Sequence, residues 1–185
     1  MQLTQRAQSI VEQYLQPGQQ VVDATAGNGH DSCFLARQVG ARGRVFVFDI
    51  QQQALDSTAS RLRDQGQAAQ VTLVYRGHEH LLDEIPATDH GHIQAVMFNL
   101  GYLPHGDKTR TTTSATTLPA LAQARAVLAP GGIITVLAYR GHPGGQEEAQ
   151  DVERQLQRLA GEGLQLSVIP SPGPVLFVLA PERYD

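Results

Sequence analysis

The chain is poor in residues that would staple it, anchor it or charge it in one direction. Cys33 is the only cysteine among 185 residues, so no intramolecular disulfide can form and an intracellular, cytoplasmic setting is expected. Lys108 is the only lysine, close in sequence to His105 and Arg110. With 14 basic and 18 acidic residues the net charge is −4, which argues against a broad nucleic-acid footprint while leaving room for a local basic patch. Long apolar runs are missing. The longest, around 133–139 and 175–180, are too short to cross a bilayer, so no membrane partner is expected. The polar first sixteen residues hold no signal-peptide core. No internal repeat is present, and the threonine-rich stretch 109–117 is the nearest thing to compositional bias. The length suits one domain, 1–185, able to bury a core without staples.

What the chain does have is an alternation of short β-branched runs with helical patterns, which predicts an α/β fold with a mostly parallel sheet. A leading helix is predicted over 4–15, with Ile10, Val11, Tyr14 and Leu15 on one side and Pro17-Gly18 ending it. Strands are predicted at 20–24, 44–49, 71–75, 93–100 and 133–139. Between them come helices at 31–39, 51–65, 79–85 and 118–128, the last stopped by Pro130-Gly131-Gly132. Cys33, Phe34 and Leu35 should face the core, as should the stripe Ala54, Leu55, Thr58 and Leu62, with Gly66 closing that helix. A helix over 146–159 starts with Glu147 and Glu148 at its positive end. Two strands, 164–169 and 175–180, follow. The linker from Pro170 to Pro174 is too short for a parallel crossover, so this last pair must be antiparallel. The expected architecture is Rossmann-like: a seven-stranded, mostly parallel sheet with an antiparallel C-terminal hairpin and helices on both faces. That is the class I methyltransferase arrangement, and it departs from the dinucleotide dehydrogenases at the hairpin.

The strongest local signal is Asp23-Ala24-Thr25-Ala26-Gly27-Asn28-Gly29-His30-Asp31. A buried strand runs into a Gly-x-Gly turn that opens a helix. Gly27 and Gly29, flanking Asn28, let backbone approach a ligand, and the helix start offers N–H groups to a carboxylate. Asp23 either fixes the turn or meets a ligand ammonium through water. Asp31 is a cofactor-site candidate whose plainer reading is a helix cap. Asp49, twenty residues after Gly29, ends the second strand, where a carboxylate accepts from both ribose hydroxyls; Gln51 follows within reach of ribose or adenine. Ser32 stands where a dehydrogenase would carry its third glycine. The pyrophosphate fingerprint is therefore incomplete, and S-adenosylmethionine (SAM), which has no pyrophosphate, fits better. His78 and Glu79, after the third strand, are candidates for the adenine. His78, His80, His90 and His92 lie near one another, but no cysteine joins them and their spacing is loop-like, so no metal is expected.

Asn99-Leu100-Gly101-Tyr102-Leu103-Pro104 follows the fourth strand. It resembles the Asn/Asp-Pro-Pro-aromatic motif of amine-directed methyltransferases, with Leu100-Gly101 in place of the two prolines. That resemblance implies that the Asn99 side-chain oxygen accepts from a substrate amine and that Tyr102 packs on the substrate. Together with Tyr139-Arg140-Gly141-His142-Pro143-Gly144-Gly145, these segments resemble the bacterial rRNA methylase family that includes the tRNA 5-aminomethyl-2-thiouridine methyltransferases. The family's Gly-Gly-Asp-Lys is His105-Gly106-Asp107-Lys108 here, so His105 is a departure. The resemblance implies SAM-dependent N-methylation of the aminomethyl group of a wobble uridine in tRNA, with S-adenosylhomocysteine (SAH) as product, and a homodimer. Asp107 is a weaker candidate for proton acceptance. Lys108, Arg110, Arg140 and His142 would meet anticodon-region phosphates, which position RNA without specifying it. The rivals are a methyltransferase of a small-molecule amine or of rRNA, a nucleotide-binding module without chemistry, and a nicotinamide oxidoreductase.

Overall fold

The computed structural model describes residues 2–101, 109–161 and 163–182; Tyr102, His105, Asp107 and Lys108 lie outside them. In chain order the elements are α1 (Leu3–Glu12), β1 (Gln20–Asp23), α2 (His30–Val39), β2 (Arg44–Asp49), α3 (Gln52–Asp64), β3 (Val71–Tyr75), α4 (Leu81–Glu84), β4 (Ile93–Leu100), α5 (Ser114–Val127), β5 (Leu128–Ala138), α6 (Gly145–Leu159), β6 (Leu164–Ile169) and β7 (Val175–Pro181). One sheet carries all seven strands in the order β3-β2-β1-β4-β5-β7-β6. β1 to β5 pair in parallel, and β7 runs antiparallel to both β5 and β6. The expected antiparallel end hairpin is there.

Successive side chains of a strand point to opposite faces, and both faces here are apolar. Val22, Phe46, Phe48, Val96 and Phe98 point to one side and bury against Leu81, Ala120, Ala124, Val152 and Leu156 of α4, α5 and α6. Val21, Val45, Val47, Ala95 and Met97 point to the other and bury against Ala7, Val11, Phe34, Leu35 and Leu55 of α1, α2 and α3. Cys33, Phe34 and Leu35 are buried as the pattern predicted, and so is the stripe Ala54, Leu55, Thr58 and Leu62.

Several boundaries differ from the sequence pattern. α1 stops at Glu12, leaving Tyr14 and Leu15 in the turn beyond it. The segment 79–85 divides into a 3₁₀ turn, His78–His80, and the single turn of α4. α5 begins at Ser114 and takes Pro119 inside it. Its early start is held from outside the helix. Thr112 and Thr117 donate to opposite oxygens of buried Glu148 at 2.9 and 2.7 Å, and Ser114 donates to Asp151 at 2.6 Å. Pro130-Gly131-Gly132 lies within the span of β5 as a bulge, between the pairs Ile93–Leu128 and Ala95–Ile133. Pro130 has no N–H for the ladder, and Gly131 takes a φ of +79°.

Candidate active site

The chain leaves β1 toward β2 on one side and β4 toward β5 on the other, so the loops at the carboxyl ends of β1 and β4 diverge and leave a crevice. A cavity of about 570 Å³ fills it, a size suited to a small ligand. Gly27, Asn28, Asp31, Asp49, Gln51, His78, Glu79, Asn99, Arg110 and His142 all line it.

The two glycines of the first motif have different tasks. Gly27 faces the cavity with φ +53°. Its N–H donates to Asp49 Oδ2 at 3.1 Å. Gly29 does not line the cavity. It caps α2 with φ +79°, and a Cβ there would stand 2.9 Å from Thr58 Cα. Gly29 is therefore the close-approach point of α2 and α3. Arg61 of α3 braces the same loop, its Nε donating to Asn28 O at 2.9 Å.

Three carboxylates surround this loop. Asp49 accepts from Gly27 N and, through Oδ1, from Gln51 N at 2.9 Å. Burial raises its pKa; backbone N–H groups and the charge of Arg110 oppose the rise. Asp23 is 1% exposed and does not line the cavity. Its oxygens accept from Thr25 N at 3.1 Å and Ser32 Oγ at 2.5 Å, so of its two expected tasks the structure gives it the turn. Burial first, then the neighbouring charge of Asp31, pushes its pKa up to about 7. Asp31 sits in the first turn of α2, two residues past the cap that Gly29 forms. It accepts from Gln8 Nε2 at 2.7 Å and from the Asn99 side chain, and burial raises its pKa.

Next to Asp49, Gln51 is buried, and its Nε2 donates to Arg110 O at 3.4 Å. His78 is 6% exposed, stands edge-on to Phe98 with ring centres 5.5 Å apart, and places Nδ1 3.2 Å from Ala24 O. Burial lowers its pKa, which favours neutral imidazole. A carbonyl only accepts, so the proton sits on Nδ1 and Nε2 keeps a lone pair. Glu79 folds its carboxylate over Gly77, where a Cβ would collide with it. His80 lies beside Glu79 and Asp83, and His90 Nε2 meets Ile85 O at 2.9 Å. Among the described residues no three ligands gather for a metal.

At the other end, Asn99 N donates to Thr25 Oγ1 at 2.7 Å, which ties the tip of β4 to the first loop. Because a carboxylate only accepts, the Asn99 group facing Asp31 is its amide N–H, and Oδ1 is left for another partner. Arg140 is turned away from the cavity. Its Nε and Nη2 donate to Gly173 O and Ser171 O at 2.9 and 2.6 Å, so the guanidinium expected at a phosphate holds the β6–β7 turn. Gln8, Thr25, Arg61 and Tyr139 were not singled out from sequence. Tyr139 had a readable signal, its place at the carboxyl end of the predicted fifth strand. Gln8 and Arg61 had none, since only packing brings α1 and α3 to the loop.

Residues 45–170 match the family model described as "Putative rRNA methylase". The chain is 41% identical over 159 residues to a chloroplastic tRNA (mnm(5)s(2)U34)-methyltransferase of Arabidopsis thaliana, covering 81% of this chain and 57% of that protein. It spans about half the length of the curated relatives it matches. Among solved structures, a "putative rRNA-methylase" from Clostridium thermocellum superposes with a TM-score of 0.90 at 37% identity, covering 97% of each chain. A "putative methyltransferase" from Streptococcus mutans, in complex with SAH, superposes with a TM-score of 0.85 at 28% identity, covering 98% of this chain and 99% of that one. No described helix is long and apolar enough to cross a membrane. By the span of the family match and its identity across four fifths of its length, the chain belongs to the rRNA methylase family.

Proposed function

We propose that the chain is a SAM-dependent N-methyltransferase acting on the aminomethyl group of 5-aminomethyl-2-thiouridine at the wobble position of tRNA. The observation that carries this reading is the shared cavity: a ribose-type acid, Asp49, at the tip of β2 and an amine-type acceptor, Asn99, at the tip of β4, the two parallel strands that flank β1. The residues fit a cationic nucleoside. Asp23, Asp31 and Asp49 are each held above the ordinary carboxylate range, chiefly by burial, and a positively charged ligand offsets such crowded negative charge. Asp49 would take the two ribose hydroxyls, Gln51 and His78 Nε2 the adenine edge, and the start of α2 the methionine carboxylate.

When bound, SAM would supply an electrophilic methyl on its sulfonium sulfur, so that the amine nitrogen takes the methyl while the electron pair of the broken S–C bond stays with sulfur. The protein holds the amine in line with that bond and keeps water out. Asn99 Oδ1 accepts from the substrate N–H and turns the nitrogen lone pair toward the methyl. Asp31, anchored by Gln8, fixes the Asn99 amide in that sense. The amine must reach the site unprotonated, and the secondary ammonium formed by transfer loses one proton to solvent, leaving the neutral methylamine. In this reading Tyr102 packs on the substrate, Asp107 is a candidate proton acceptor, and Lys108, Arg110 and His142 meet RNA phosphates.

The experiment is mass spectrometry of nucleosides from tRNA lacking the modification, after incubation with the protein and SAM. A gain of one methyl on 5-aminomethyl-2-thiouridine is expected. Transfer to free amines but not to tRNA would move the assignment to a small-molecule enzyme, and SAM binding without any transfer would move it to a binding module.

A further inference from the structure

A second groove of about 560 Å³ opens on the far side of Tyr139. Its walls are the start of α1, with Thr4 and Arg6, and the β6–β7 turn, with Pro170, Ser171 and Pro174. Tyr139 lines both this groove and the active-site cavity, and it is 41% exposed. Its ring lies over Gly101, where a Cβ would come within 3.6 to 3.9 Å of the side chain. The aromatic group therefore stands at the passage between the two spaces, next to the Asn99 loop.

The far wall is pre-formed. Arg140 ties Ser171 O and Gly173 O together, Ser171 Oγ donates to Pro174 O at 2.5 Å, and Gly173 N donates to Ser171 Oγ at 3.2 Å. Arg6, opposite, is exposed, and its guanidinium has no hydrogen bond or ion pair among the described residues. An exposed ring, an uncommitted cation and a rigid wall suit a single-stranded nucleotide, whose base stacks on an aromatic face while its phosphate meets a basic side chain.

We propose that this groove holds the nucleotide next to the methylated one, with its base on Tyr139 and its phosphate at Arg6. The inference rests on the RNA reading above. It moves the phosphate contact from Arg140, which builds the wall, to Arg6, which has its charge to spare.

The test measures binding of an anticodon stem-loop RNA carrying 5-aminomethyl-2-thiouridine, across a salt series, for the wild type, Arg6→Glu, Tyr139→Ala and Tyr139→Phe. Arg6→Glu should weaken binding about tenfold and lower the slope of log K against log salt by about one. Tyr139→Ala should weaken it about tenfold, and Tyr139→Phe, which keeps the ring, should stay within about threefold of wild type. An Arg6→Glu protein with wild-type affinity and slope, or a Tyr139→Phe protein as weak as Tyr139→Ala, overturns the groove assignment. A wild type that methylates the stem-loop while the variants bind normally sinks the groove alone; a wild type that neither binds nor methylates it sinks the RNA reading and the groove together.

Discussion

Removing the Asp49 carboxylate separates the two halves of the proposed site more sharply than any other change. In Asp49→Ala the ligand loses the acceptor for both ribose hydroxyls. Hydrogen bonds to a charged group are worth about 1.5–3 kcal/mol each, so two give about 3–6 kcal/mol. Asp49 is partly open to solvent, which places the loss at the lower end, about 3–4 kcal/mol, or a factor of about 10² to 10³ in Kd. The substitution also releases Gly27 N and Gln51 N from their acceptor, so the loop loosens and adds to the loss. Asn99 lies at the tip of β4 and bonds to Asp31 through its side chain; Asn99→Ala should leave SAH affinity within about threefold while lowering turnover about a hundredfold, in the range for a lost positioning group. Isothermal titration of both variants with SAH, beside single-turnover methyl transfer, decides the matter. Equal losses of SAH affinity in the two variants, or a loss below threefold in Asp49→Ala, would refute this division of labour.

Gly29→Ala places a Cβ 2.9 Å from the Thr58 backbone at φ +79°. Left-handed strain and the clash together should cost about 2–4 kcal/mol, seen as a fall in Tm of about 10 °C, and a variant melting with the wild type would contradict the close approach of α2 and α3. Thr117→Val removes one of the two hydroxyl donors to buried Glu148. A loss of about 1–3 kcal/mol in urea unfolding, with unchanged m, is expected, and unaltered stability would mean that α5 does not need this tether. Asp23 keeps its proton to about pH 7 in the folded protein, because burial disfavours its charge, but only to about pH 4 when unfolded. The native state then binds the extra proton, so stability falls as pH rises from about 4 to about 7 and levels off above. Asp23→Asn should abolish that decline, and a wild type that gains stability relative to the variant across the window would reverse the sign.

The sheet was legible because its strands are short apolar runs with unmistakable ends: β2, β3, β4 and β6 carry the predicted bounds, and a five-residue proline-rich linker admits only an antiparallel return. The order β3-β2-β1-β4-β5-β7-β6 belongs to a fold shared by many chains, so recognising the hairpin carried the rest. The residues that meet across the crevice were also readable, because each of Gly27, Asp49, His78 and Asn99 lies at or just beyond the carboxyl end of a strand. Only three-dimensional packing divided the labour among them. Asp23 turned inward because Ser32, one turn into α2, faces it; Gly29 became a packing residue because Thr58 sits against it; Arg140 was taken by two carbonyls more than thirty residues away. A linear pattern records period and chemistry, and a strand end or a glycine turn is set by those alone. Which donor finds which acceptor depends on distances between elements far apart in the chain, and these are fixed only when the two apolar faces of the sheet are covered.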